Sequence, residues 1–110
     1  MQNASLATSV RRGGTMLFRE VLGVQLRLRR AEQGMTLRQL SARSNVALGY
    51  LSEIERGQKE PSSELFASIC RALDVPASKI VNQCAVALEI EENKVLPIKR
   101  SETSKATKAA

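Results

Sequence analysis

A chain of 110 residues has room for one small domain, and with only three aromatic residues its core must come from Leu, Ile, Val and Ala, as in a compact helical bundle. There is no His, and Cys70 and Cys84 have neither CxxC spacing nor ligands nearby, which excludes a metal cluster and Cys–His chemistry. The net charge of +6 sits at the two ends: Arg11 and Arg12 give +2 in residues 1–15, five basic groups against Glu102 give +4 in residues 93–110, and residues 16–92 sum to zero, so a nucleic-acid reading must rest on pattern rather than on bulk charge.

Residues 1–15, rich in Ser, Thr, Asn and Gly, read as a flexible arm. Such an arm could reach a DNA groove; a solvated tail is the simpler reading. Arg11-Arg12 is followed by Arg19 and Glu20 instead of a sustained apolar stretch, so it does not read as a twin-arginine signal. No run of about 20 apolar residues exists to span a membrane, and the cytoplasm is the expected location. From Met16 to Gln33 the pattern predicts a first helix stopped by Gly34. The alternation Val24, Gln25, Leu26, Arg27, Leu28, Arg29 mimics a strand, but length, strong helix formers and the Gly stop favour helix.

Thr36 with Gln39 three residues on forms a capping box that starts a second helix near Leu37. Leu40 faces inward, Ser41 is small where two helices must cross, Asn45 suits a left-handed corner and Val46 plugs it. Leu51 and Ile54 give a third helix one apolar stripe, which leaves Leu48, Gly49, Ser52 and Glu53 on its other side, and Gly57 stops it. Beyond the loop at Gln58 to Pro61, Ser62 caps a fourth helix over about 63–73, with Leu65, Phe66, Ile69 and Leu73 inward. Pro76 suits the first turn of a fifth, whose Ile80, Val81, Cys84 and Leu88 form an apolar stripe. That stripe either completes the core or, from Cys84 through Leu88 to Val95, contributes to a dimer interface. Pro97 ends any helix, and residues 93–110 read as a flexible basic tail. The expected fold is therefore all-α, a compact five-helix bundle with flexible tails, and the two cysteines are expected to remain thiols.

The run Leu51, Ser52, Glu53, Ile54, Glu55, Arg56, Gly57 resembles the signature of the Cro/C1 (xenobiotic-response-element) helix-turn-helix family, and the likeness extends from roughly Leu22 to Ile80. More narrowly, REVLG, TLRQLS, LGYLSEIERGQKEPSSEL and ICRALDVP resemble the clp gene regulators of actinobacteria. The resemblance implies a lambda-repressor-like DNA-binding domain over 16–92, with its motif at about 36–57. It also implies a homodimer on double-stranded DNA with a roughly palindromic operator, activating genes for Clp-type proteases and related stress genes.

By that resemblance, Leu48, Gly49, Ser52 and Glu53 would meet bases and Tyr50 would lie near the DNA backbone. Thr36 and Leu37 at a helix N-terminus, with Arg56 and Lys59, would hold phosphates. Glu53 can accept from cytosine N4, and Leu48 can pack on a thymine methyl. Many relatives carry Gln where Leu37 and Leu48 stand here, and Gly49 has no side chain to read with, so water, backbone approach or DNA shape is expected to supply part of the specificity. An Arg30–Glu55 ion pair is implied as scaffolding that orients the recognition helix. Related phage repressors that activate use an acidic patch on the first motif helix; Arg38 and Arg43 stand there instead, so a contact with RNA polymerase would need another surface. Ala109-Ala110 resembles the C-terminal tags that Clp proteases recognise, which makes such a protease a further partner. A repressor, or an antitoxin or coactivator-like module gripping a protein with the same fold, is the alternative. No constellation of catalytic residues, metal ligands or cofactor-binding loops is present to nominate an enzyme.

Overall fold

The computed structural model describes residues 16–95. Five helices occupy them: α1 Phe18–Glu32, α2 Leu37–Ser44, α3 Leu48–Glu55, α4 Ser63–Ala72 and α5 Ala77–Val95. The expected N-terminal arm, the part of the basic tail beyond residue 95 and the Ala109-Ala110 end lie outside the described residues.

Each stop has a local cause. After α1, Gly34 takes a left-handed φ of 65°, and the amides of Gly34 and Met35 donate back to the carbonyls of Ala31 (3.0 Å) and Arg30 (3.2 Å). The same pair of bonds ends α3 at Gly57, φ 78°. It recurs after α4, where a non-glycine residue, Asp74, is left-handed at φ 54°. At the other ends, Leu17 N–H donates to Glu20 Oε1 at 2.7 Å, which starts α1 at Phe18 rather than Met16. The Ser62 hydroxyl accepts from Leu65 N–H to start α4.

Helix α1 is the spine, packed on α3 and on α5, while α2 packs on α3 and α4. Leu22 and Leu26 meet Leu40, Leu51, Ile54, Ile69, Leu73 and Ile80 in one core. Leu28 lies outside it at 51% exposure. Arg29, at a position where chains resembling this one commonly carry an apolar residue, serves the end of α4. Its guanidinium donates to the carbonyls of Leu73 and Asp74, and Gln33 Nε2 donates to Leu73 at 2.6 Å. The carbonyls just past the end of α4 thus receive donors from the last turn of α1 and its cap, where a cation also complements the helix dipole. On α5, Ile80 and Cys84 are buried and Leu88 is half-buried, but Val81 is 46% exposed, contrary to the inward stripe read from spacing. Its neighbour Ile80 takes the core direction, and one residue turns the helix by about 100°. Cys84 is 1% exposed, so it is monomer core and offers no surface to a dimer. Both cysteines are free, and burial pushes both thiols up, that of Cys84 to about 11 by burial first and by Cys70 second. They stay protonated, apolar core groups.

Two contacts fix α3 on α1. The first is close backbone approach: a Cβ on Gly23 would lie 2.5 Å from Ile54 O and 2.7 Å from Glu55 O. The second is a bidentate ion pair, Arg30 Nε to Glu55 Oε2 at 2.7 Å and Nη2 to Oε1 at 2.8 Å, with Arg30 Nη1 also donating to Met35 O at 2.8 Å. The two side chains are 17% and 7% exposed. The hydrogen bond to Glu55 raises the Arg30 pKa against the opposing effect of burial.

Gly23→Ala forces the two helices apart and should lower stability by about 1–3 kcal/mol in denaturant melts; an unchanged midpoint would show that the approach is dispensable. Glu55→Ala leaves the Arg30 charge largely buried without its carboxylate and should cost about 3 kcal/mol. A thermal melt matching that of the parent chain would rule out the scaffold role.

Candidate nucleic-acid interface

The turn between α2 and α3 is closed by three residues. Asn45 is left-handed, φ 65°, and its amide donates to Ser41 O at 2.9 Å. Ser41 Oγ donates to Val46 O at 2.6 Å, so the small residue at the crossing also holds the turn. Val46, 3% exposed, plugs the corner, and the buried Ser44 hydroxyl donates back to Leu40 O. Leu51 and Ile54, 1% and 0% exposed, then anchor α3 and leave its other side open.

The N-termini of α2 and α3 differ in their caps. Thr36 Oγ1 accepts from Gln39 N–H at 3.0 Å, and Gln39 Oε1 accepts from Thr36 N–H at 2.8 Å, the reciprocal box read from sequence. The Thr36 amide is therefore occupied. The first-turn amides left without an intrahelical acceptor are those of Leu37 and Arg38, which moves the expected anion contact one residue onward. Ala47 at the start of α3 makes no side-chain cap, so the amides of its first turn are open.

An open cleft of about 510 Å³ lies between these two helix starts, lined by Leu37, Arg38, Leu48, Gly49 and Ser52. It brings together four of the residues expected to meet DNA. Gly49 has nothing within 4 Å of the position a Cβ would take. Arg38 belongs to the same cleft, exposed and with no hydrogen bond or ion pair among the described residues, and the sequence pattern alone did not point to it as a DNA contact. Its signal was position: it follows Leu37 in the first turn of α2, where summing charges over a whole segment conceals one arginine.

The remaining expected residues lie outside the cleft. Glu53 is half-buried on α3, and its carbonyl accepts from Gln58 N–H at the helix stop. Arg56 donates through Nη1 to Ser52 Oγ and through Nη2 to Gln58 Oε1, so it is tied along its own helix. Lys59 is exposed on the following loop. Tyr50 is half-buried against the core, and its hydroxyl donates to Glu60 O at 3.2 Å, which holds that loop against α3.

Among the described residues there is no group of three or more His, Cys, Asp or Glu placed to hold a metal ion. No described helix is long and apolar enough to cross a membrane.

The helix-turn-helix family model matches residues 26–80, which contain the whole motif. The transcriptional regulator ClgR of Mycobacterium tuberculosis is 58% identical over 65 residues, 59% of this chain and 58% of that protein, so the chain spans little more than half of this curated relative. Two crystal structures of the clp gene regulator ClgR from Corynebacterium glutamicum are similar. One is 50% identical with a TM-score of 0.63, covering 66% of this chain and 94% of the other. The second is 42% identical with a TM-score of 0.69, covering 80% and 97%. With the matched motif, the five-helix order and these relatives together, the chain belongs to the Cro/C1-type helix-turn-helix family.

Proposed function

We propose that this chain is a sequence-specific DNA-binding regulator, not an enzyme, that holds a roughly palindromic operator as a homodimer and activates genes for Clp-type proteases and related stress functions. The observation that carries the reading is the cleft between the starts of α2 and α3, where Leu48, Gly49 and Ser52 stand open beside helix amides with no intrahelical acceptor. Backbone amides at helix starts suit phosphates, and side chains at the front of a second motif helix suit the base edges of a major groove. Lys59 and Arg56 flank that face as phosphate clamps, with the Thr36 hydroxyl and Leu37 amide at its edge. Tyr50 supports the loop that carries Lys59. Glu53 is the acceptor for a cytosine N4, and Leu48 the partner of a thymine methyl. Arg30 and Glu55 touch no base; they hold α3 at its angle.

An eight-residue recognition helix covers only a few base pairs, so a second copy is needed to double the site. Helix α5 supplies the surface for it. Val86 and Ile90, 49% and 53% exposed and one turn apart, leave an apolar face turned outward, while Leu88, half-buried against the core, lies on the other side of the helix. The target class follows from kinship with the ClgR proteins, one of which bears the name clp gene regulator. With Arg38 and Arg43 exposed on α2, contact with RNA polymerase falls to another surface. Binding to chromosomal DNA places the protein in the cytoplasm.

Genome-wide mapping of bound DNA followed by footprinting should give two protected half-sites related by two-fold symmetry, and sedimentation should give a dimer that Ile90→Asp converts to monomer. Weak, salt-dependent binding without a footprint would instead favour a protein-gripping module. Glu53→Ala should lose about tenfold in affinity and relax the preference for one C·G pair; retained affinity and preference would remove Glu53 from base reading. Purified RNA polymerase on a clp promoter should transcribe more in the presence of the protein, and a decrease would make it a repressor.

A further inference from the structure

Gly49 and Arg38 together suggest how this face reads bases when its recognition helix begins with a leucine and a residue that has no side chain. Leu37 from α2 and Leu48 from α3 form apolar walls of the cleft, and the bare backbone of Gly49 lies between them with open space above it. The two leucine side chains offer no hydrogen-bond donor, so phosphate contacts at the helix-start amides leave the space over Gly49 to an apolar group. A methyl group suits it well. In the major groove the only methyl on a base edge is that of thymine. Arg38 lines the same cleft, exposed and without a partner among the described residues, while Ser52 already accepts from Arg56. A guanidinium donates two parallel hydrogen bonds to the O6 and N7 of guanine.

We propose that the cleft reads a thymine and a neighbouring guanine in each half-site, the thymine methyl lodging over Gly49 between Leu37 and Leu48, and Arg38 of α2 donating to the guanine. This rests on the DNA-binding function proposed above and adds a base-reading residue from the helix whose start otherwise contacts only phosphates. It gives the absent side chain at position 49 a purpose: any Cβ there would occupy the space of the methyl.

The test uses the full chain and a duplex that it enriches from a randomised pool. Replacing thymines one at a time by deoxyuridine removes only the methyl, and replacing guanines by 7-deazaguanine removes only N7. One thymine per half-site should lose about fourfold in affinity as uracil, and an adjacent guanine about tenfold as 7-deazaguanine. Gly49→Ala should melt no lower than the parent chain, since its Cβ meets no protein atom and alanine favours helix. It should nevertheless bind the duplex more weakly and become indifferent to uracil at that position. Arg38→Lys should become indifferent to 7-deazaguanine. The inference is overturned if Gly49→Ala keeps the uracil penalty. It is also overturned if Arg38→Ala weakens all duplexes by one common factor with a shallower salt slope, the behaviour of a phosphate clamp. A pool that enriches no sequence sinks the DNA-binding function and this inference with it. An enriched, footprinted sequence insensitive to both analogues leaves the DNA-binding function standing and removes this inference alone.

Discussion

The direction of α3 depends on its seam with α1, and the rest of the DNA-facing surface depends on that direction. An eight-residue helix has little stability of its own, so its angle must be imposed by what it packs on. Gly23 lets the backbone of α3 come within contact of α1 at Ile54 and Glu55, and the bidentate Arg30–Glu55 pair fixes the end of α3 to the end of α1. Arg30 also donates to Met35 O, the residue that leads into α2. One guanidinium therefore ties the spine, the approach to the first motif helix and the far end of the second. Gly57, whose missing Cβ would press on the backbone of Glu20 at 3.2 Å, extends the same seam past the end of α3.

Much of this was legible because the motif depends on local chemistry. Thr36 and Gln39, Asn45, Gly57 and Ser62 act within a few residues of themselves, and the structure places each in the capping or turning role its side chain predicts. What was not legible depends on contacts between distant segments. Gly23 looks like a poor helix residue until α3 is laid across it. Arg29 looks misplaced in an inward position until the carbonyls of Leu73 and Asp74, more than 40 positions away in sequence, are seen to need donors. Asp74 itself adopts a left-handed conformation for which Gly or Asn would be the expected residue.

Helix α5 shows how spacing alone overreaches. Ile80, Val81, Cys84 and Leu88 satisfy a helical repeat, yet a stripe that wide spans two directions around one axis, and the core takes only Ile80 and Cys84 fully. The cysteine expected at an interface is buried, and the apolar face left over belongs to residues outside the repeat, Val86 and Ile90. A periodic pattern identifies a face; it does not say how many partners that face has.

The DNA-facing surface is also where the chain departs most from what would make its helices stable. Helices α2 and α4 carry a Thr and a Ser cap, but α3 begins after Ala47 with none, and its second residue is Gly, the weakest helix former after proline. Leu37, although it packs against the core, and Leu48 both remain partly exposed. The missing cap and the glycine lower the stability of the free protein, and together with the exposed leucines they open what a duplex can use: unoccupied amides, a space without a Cβ and apolar walls. The breaks at Gly23 and Asp74 are answered by contacts within the fold, whereas those gathered at this one surface meet no protein partner, the physical mark of a site shaped for a ligand. The near-zero charge of residues 16–92 is consistent with this. Recognition here relies less on overall charge than on the placement of a few groups around one cleft, with the α1–α3 seam keeping that cleft in shape.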